Sequence, residues 1–194
     1  IGMAPEANLI VVKTTFFDTD IIDGITYIQN KAAVLSLPSV INLSLSGHDG
    51  PHDGTSNFEA AMDSASGVGK VIVAAAGNEA AADIHASGTV ANGGTDTESF
   101  SVPSGSSDVF LDLWYPGVDK IGVNVTSPSG TCTTGGSQYP GNSDQISNTS
   151  CGQIIISTPG INGANGDHEI IIDLQKNGAI PVKVGNWTFT LTGS

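Results

Sequence analysis

The chain has 194 residues, and its 19 acidic side chains against six lysines give a formal net charge of −13. That balance excludes a cationic nucleic-acid-binding surface and disfavours binding to anionic lipid. Hydrophobic residues make up 39% of the chain, enough for one large or two small packed domains, and no apolar run reaches the roughly 18 to 20 residues of a membrane-spanning helix.

The first part of the chain alternates between strand and helix patterns. Apolar runs predict strands at residues 9–14, 40–45 and 70–75, and helical periods predict helices from Asp18 or Thr19 and over residues 56–66. The stripe of the first helix comprises Ile21, Ile22, Ile25, Ile28 and Ala32. This order predicts parallel strands, the third of them buried on both faces.

The second part of the chain has a different texture. Glycine, proline, serine and threonine crowd residues 88–107, and no helical period follows. Short alternating runs occur instead at residues 109–114, 121–125, 153–156, 169–174 and 187–191. They predict an antiparallel β-sandwich or jelly roll. The fold class is therefore α/β plus all-β, with an α/β domain at residues 1–96 and a β domain at residues 97–194.

Three motifs in the first part carry a resemblance to a known family. They are GMAPEANLIVVK at residues 2–13, VINLSLSG at residues 40–47 and VAAAGNE at residues 73–79. In this order they resemble the strand after the histidine helix, the substrate-lining strand and the oxyanion-asparagine segment of the subtilisin-like serine proteases (subtilases). The resemblance implies part of a catalytic domain, followed by an inserted jelly-roll-like domain.

The same resemblance assigns roles to individual residues. Asn78 corresponds to the asparagine whose carboxamide stabilises the oxyanion of the tetrahedral intermediate. The segments that bind substrate backbone and wall the specificity pocket correspond to Ser44, Leu45, Ser46, Ala75 and Gly77. Ser46 and Ala80 stand where the family usually has glycine, and the serine would crowd the pocket rim.

Two neighbouring motifs contain residue types that occur in catalytic or metal sites. A structural interpretation explains both of them better. Gly54-Thr55-Ser56 imitates the family's nucleophile segment, but Ser56 with Glu59 three residues later is a capping-box pattern. The repeat HDGPHDG at residues 48–54 offers two histidines and two aspartates for a divalent ion. A polar, glycine-punctuated surface loop is the favoured interpretation, so we predict no metal site there.

The two cysteines of the chain, Cys132 and Cys151, bracket a polar loop in the β domain. In an exported protein such a pair is most simply a disulfide, and a metal site or a catalytic cysteine would need partners that the sequence does not place. The serine-protease chemistry that the resemblance implies needs no cofactor. Structural calcium is an open alternative, with oxygen ligands from Asp112, Asp119, Asp167 and Asp173.

The family's aspartate, histidine and nucleophilic serine segments are not among these 194 residues. We therefore expect a piece of a longer, secreted serine endopeptidase that is inactive alone and acts on peptide or protein substrates together with the rest of its catalytic domain. We expect neither a nucleic-acid partner nor a membrane segment. The alternative is a non-catalytic binding or assembly module, in which the α/β part is a remnant and the β domain the interaction surface.

Overall fold

A computed structural model describes residues 2–136 and 138–194 of the chain. It contains two compact units, with the first running to His48 and from His52 to Ile84, and the second comprising Asp49–Pro51 and His85–Ser194. We call them the α/β unit and the β unit. The predicted domain limit at residue 96 falls inside a strand of the β unit, and as a boundary between domains it stays a prediction.

The α/β unit contains helix α1 (Asp18–Val34), strand β1 (Ser39–Leu43), helix α2 (Asn57–Ala65) and strand β2 (Lys70–Ala74). The two strands pair in parallel, from Ser39 opposite Lys70 to Leu43 opposite Ala74. The parallel pairing, both helices and both of these strands are therefore confirmed. Within the described residues, no helix is both long and apolar enough to span a bilayer.

Helix α1 begins differently from the sequence prediction. Its N-cap is Phe17, which makes no side-chain hydrogen bond to the helix, so the predicted cap at Asp18 or Thr19 is wrong. Asp18 and Asp20 instead lie in the first turn, where negative charge stabilises the positive end of the helix dipole. The predicted apolar stripe is confirmed, with Ile25 buried and the other stripe residues partly buried.

Two predictions about the strands of this unit are wrong. Residues 9–14 form no strand, because a β-strand requires a hydrogen-bonded neighbour and, among the residues that the structure describes, β1 and β2 pair only with each other. The β2 strand is not buried on both faces, since Val71 and Val73 each remain 49% exposed. A two-stranded sheet covered on a single face leaves alternate side chains in solvent.

The described part of the β unit contains seven antiparallel strands in two sheets. One sheet has the order β3-β9-β5 and the other the order β4-β8-β7-β6. The strands are β3 (Thr95–Val102), β4 (Asp108–Tyr115), β5 (Ile121–Thr126), β6 (Asn142–Thr149), β7 (Gly152–Thr158), β8 (His168–Gln175) and β9 (Gly185–Gly193). The five predicted antiparallel runs are confirmed as β4, β5, β7, β8 and β9.

One buried cluster joins side chains from both sheets of the β unit. Alternate residues of β7 and β8 are fully buried, among them Ile156, Ile170 and Ile172. From the other sheet come Val125 and Trp187, whose indole is 0% exposed and donates Nε1–H to the Lys183 carbonyl at 2.7 Å. Satisfying that donor allows a large amphipathic ring to be fully buried.

The predicted disulfide is present between Cys132 and Cys151, whose Cα atoms are 6.3 Å apart. Both cysteines belong to the buried cluster of the β unit. The Cys132 amide also donates to the buried Ser127 hydroxyl at 2.9 Å. The bridge therefore joins the loop after β5 to the start of β7 within a single unit.

Candidate functional site

The candidate site lies where β1 and β2 end. Because the strands are parallel and Leu43 is paired with Ala74, the chain leaves both strands at the same edge of the sheet. The Ala75 amide extends the ladder by donating to the Leu43 carbonyl at 3.0 Å. The pairing thus brings the predicted substrate segment, Ser44–Ser46, beside the predicted oxyanion segment that starts at Ala75.

Most residues of this edge are small and open to solvent. Ser44, Ser46, Ala75 and Gly77 are exposed, and Leu45 is partly buried. The Ser44 hydroxyl accepts a hydrogen bond from the Asn42 side chain at 3.0 Å, which orients the start of the segment. Such an edge, with exposed backbone and little side-chain bulk, has room for an extended peptide.

Asn78 is exposed at this edge, following Gly77, which has φ +89°. That backbone angle lies in the left-handed region, which glycine adopts readily and which lets the chain turn sharply after β2. The Asn78 backbone amide donates to the Glu79 carboxylate at 2.8 Å. A turn fixed in this way holds the Asn78 side chain outside the strand.

Glu79 is a member of the site that the sequence prediction did not single out. Its carboxylate, besides accepting from Asn78, lies 3.9 Å from His48 Nε2. His48 follows the substrate segment in the chain, so this contact joins the segments after β1 and β2. The only signal in the sequence was the position of Glu79 directly after Asn78. A glutamate with no role beyond being exposed to solvent would be equally consistent with that position.

Ser56 is used structurally, as the sequence pattern predicts. Its hydroxyl accepts from the Glu59 amide at 3.2 Å, and the Glu59 carboxylate accepts from the Ser56 amide at 3.2 Å. These reciprocal bonds form a capping box at the start of α2. Ser56 is therefore the N-cap of a helix, and its hydroxyl is occupied by the backbone.

The loop before α2 is organised by Asp53 and Thr55. The Thr55 amide and hydroxyl both donate to the Asp53 carboxylate. These hydrogen bonds, that from the hydroxyl first, hold the pKa of Asp53 below its usual value. Over the described residues, no group of three or more His, Cys, Asp or Glu side chains could hold a metal ion.

The aspartates considered as calcium ligands lie on different elements of the β unit. Asp112 is on β4 and Asp173 on β8, while Asp119 and Asp167 lie outside the strands. The Asp119 amide closes a turn to the Pro116 carbonyl, and the Asp167 carbonyl accepts from the Asn162 amide. Their ligand role stays a prediction.

Comparison with known proteins adds to this geometry. The model of the subtilase family, Peptidase_S8, matches residues 1–185 of the chain. Among solved structures, the Clostridium perfringens CspB protease matches with a TM-score of 0.79 and 24% sequence identity, over 91% of this chain and 37% of that one. The chain thus spans well under half of that protein's length. No curated protein matches the chain.

The family match covers both the candidate edge and nearly all of the β unit. It therefore includes the three motifs of the first part and extends well beyond them. The similarity to CspB independently supports the fold. This protein chain belongs to the subtilase family of serine proteases.

Proposed function

We propose that this chain supplies the oxyanion-hole asparagine, Asn78, and part of the substrate cleft of a secreted subtilisin-like serine endopeptidase. The observation that carries the proposal is the parallel register of β1 and β2, with Leu43 opposite Ala74. This register sets Ser44–Ser46 beside the segment that runs from Ala75 to Asn78. A peptide-binding cleft with an adjacent oxyanion donor requires these two segments to be neighbours.

In the proposed reaction, substrate backbone lies along Ser44–Ser46, and the small residues Ala75 and Gly77 leave space for a substrate side chain. A serine from the rest of the catalytic domain attacks the peptide carbonyl after histidine removes its proton. The Asn78 carboxamide donates to the carbonyl oxygen as negative charge develops there. A donor already in place stabilises the transition state without reorganising.

We further propose that these 194 residues alone are inactive. They include the oxyanion donor but not the family's nucleophile, base or orienting aspartate segments, so the covalent route is missing. Incubating the isolated chain with a peptide library should give no cleavage. Turnover that is abolished by Ser56→Ala would contradict this proposal and give that serine a chemical role.

The experiment that tests the proposed role of Asn78 uses the longer protein that contains this segment. Asn78→Ala should lower kcat on the order of 100- to 1000-fold with little change in KM, a magnitude known from subtilisin, a member of this same family. The reason is that the lost hydrogen bond forms only in the transition state. Steady-state kinetics on a chromogenic peptide measures both constants.

Asn30→Ala provides the matched control. Asn30 is exposed on α1, and alanine is favourable within a helix, so both kinetic constants should stay unchanged. Equal activity of the Asn78→Ala and wild-type proteins would contradict the oxyanion role. A wild-type protein without any peptidase activity would instead favour the non-catalytic binding or assembly module.

For the β unit we propose a jelly-roll-like domain inserted into an exported protease. The two antiparallel sheets and their shared core support this architecture. The Cys132–Cys151 disulfide supports an oxidising compartment, and detection of the disulfide-bonded protein in culture supernatant tests the secreted location. Structural calcium remains a proposal, which isothermal titration of the chelator-treated chain would test.

A further inference from the structure

Four asparagines of the chain are followed directly by a glycine, at Asn92, Asn162, Asn165 and Asn177. In such a pair the glycine amide nitrogen can attack the asparagine side chain, because the following residue has no Cβ to obstruct the approach. All four pairs lie in the β unit. The hydrogen bonds that each pair makes distinguish one of them from the rest.

The pair Asn162–Gly163 lies in the loop that connects β7 to β8. Asn162 Oδ1 accepts a hydrogen bond from the Ala164 amide at 2.8 Å, so the side chain folds back over the following peptide in an Asx turn. Gly163 is exposed, and its amide has no hydrogen-bond partner among the described residues. The attacking nitrogen is therefore free, and the carbonyl group that it would attack is already polarised.

The neighbouring pair Asn165–Gly166 has the same turn but an occupied nitrogen. Asn165 Oδ1 accepts a hydrogen bond from the Asp167 amide at 3.0 Å. The Gly166 amide donates to the Asn162 carbonyl at 2.9 Å, and this hydrogen bond must break before the nitrogen can attack. The two pairs of this loop thus differ in whether the attacking nitrogen is free.

The other two pairs are restrained in different ways. The Gly93 amide, which follows Asn92, donates to the Gly193 carbonyl at 2.9 Å. At Asn177 the side-chain nitrogen donates to the Thr149 carbonyl at 3.3 Å, which restrains the group that would have to leave. In the part of the chain that the structure describes, a free nitrogen and a polarised carbonyl therefore occur together only at Asn162.

We propose that Asn162 is a site of spontaneous deamidation. The Gly163 nitrogen loses its proton to a base in solution and forms a bond to Cγ of Asn162. The carboxamide C–N bond breaks and ammonia leaves with a proton, which closes a five-membered succinimide ring. Water then opens the ring at either carbonyl and gives aspartate or isoaspartate. During the attack, the Ala164 amide stabilises the negative charge that develops on Oδ1, as a donor already in place does in an enzyme.

The modification changes both the charge and the backbone of this loop. A neutral carboxamide becomes a carboxylate, which adds one negative charge to the net charge of −13. Isoaspartate also inserts a methylene group between the Asn162 amide, which donates to the Asp167 carbonyl at 2.7 Å, and the carbonyl that follows it in the chain. The Gly166 amide then loses its acceptor, so Asn165 should become reactive in its turn. This chemistry is independent of the proposed protease role, since it uses only atoms of the β unit and of the solvent.

Incubation of the folded 194-residue chain in mildly alkaline buffer tests the proposal. Peptide mapping with tandem mass spectrometry follows the mass increase at all four asparagines over time. Asn162 should convert first, at least about threefold faster than the other three, because the loss of even one hydrogen bond slows a competing site by that factor. The same incubation in concentrated urea removes these hydrogen bonds, and the four rates should then converge.

Gly163→Ala is the informative variant. A Cβ added at Gly163 would have no atom within 4 Å, so the fold should be kept, while the methyl group crowds the attacking nitrogen and should slow conversion of Asn162 severalfold. Gly160→Ala is the matched control, because Gly160 lies in the same loop, has equal space and does not follow an asparagine. It should leave the rate at Asn162 unchanged.

Three results would overturn the proposal, and the first two need only the wild-type chain. The first is failure of Asn162 to convert before the other three asparagines in the folded chain. The second is the same order of rates in the folded chain and in urea, since the local sequence would then decide the order and the hydrogen bonds would not. The third is conversion of the Gly163→Ala variant at the wild-type rate, which would exclude attack by that nitrogen.

Discussion

The two units of this chain differ in the size of their buried cores and in whether they contain the candidate site. Among the described residues, the α/β unit has only Ile25 and Ile41 as buried hydrophobic residues. The β unit has a cluster of thirteen, of which the fully buried Trp187 is the largest. The strand ends that form the candidate site belong to the α/β unit. Stability and proposed catalysis therefore depend on different parts of the sequence.

Unfolding of the two units can be followed by two independent spectroscopic signals. Both tryptophans, Trp114 and Trp187, lie in the β unit, and both α-helices lie in the α/β unit. Tryptophan fluorescence therefore reports unfolding of the β unit, and helical circular dichroism at 222 nm reports the α/β unit. If the units are as unequal as their cores, the two signals should change at different denaturant concentrations.

The largest expected effect comes from Trp187→Ala in the core of the β unit. Removing a fully buried indole leaves a cavity and should lower the free energy of unfolding by about 3 to 5 kcal/mol. Urea titration followed by Trp114 fluorescence measures the loss. Phe110→Ala is the control, because Phe110 is on β4 but is 50% exposed and should cost much less.

Loss of the disulfide should have the next largest effect. Cys132→Ser together with Cys151→Ser should lower the free energy of unfolding of the β unit by about 3 kcal/mol, because the unfolded chain is no longer constrained by the closed loop. The fluorescence transition should shift and the helical signal should not. A reductant should add nothing in the double variant. A shift of both signals would contradict the independence of the units.

The smallest of these effects is expected at the capping box of α2. Ser56→Ala removes the acceptor for the Glu59 amide and should cost about 1 kcal/mol. The helical signal should shift while the fluorescence transition stays in place. Ser56→Asp restores an acceptor at the N-cap and should recover most of the loss. Failure of the aspartate variant to recover stability would contradict the capping role.

The sequence predicted those strands whose apolar residues alternate or run together. In β7 and β8, isoleucines point into the core at every second position, so the pattern reports burial directly. It missed β3 and β6, whose sequences TDTESFSV and NSDQISNT are mostly polar. Both are edge strands. In β3 only Phe100 and Val102, near its end, contact the buried cluster, so neither strand has an apolar pattern along its length.

The opposite error occurred at residues 9–14, where an apolar run forms no strand. Leu9 and Val11 are 88% and 91% exposed, and Val12 packs towards Gly24 of α1. Composition alone indicates that a segment suits a sheet, whereas pairing depends on a neighbour. In the same way, the motif around Asn78 indicated the site, but the contact of Glu79 with His48 required the three-dimensional arrangement.

The placement of the Cys132–Cys151 bridge has a consequence for a protein of a proteolytic family. A cut in the backbone between the two cysteines would leave both pieces covalently joined, and β7, β8 and β9 all follow the second cysteine. A nicked molecule should therefore migrate as one band on a non-reducing gel and as two bands after reduction. A cut within this loop would therefore not release either piece of the chain.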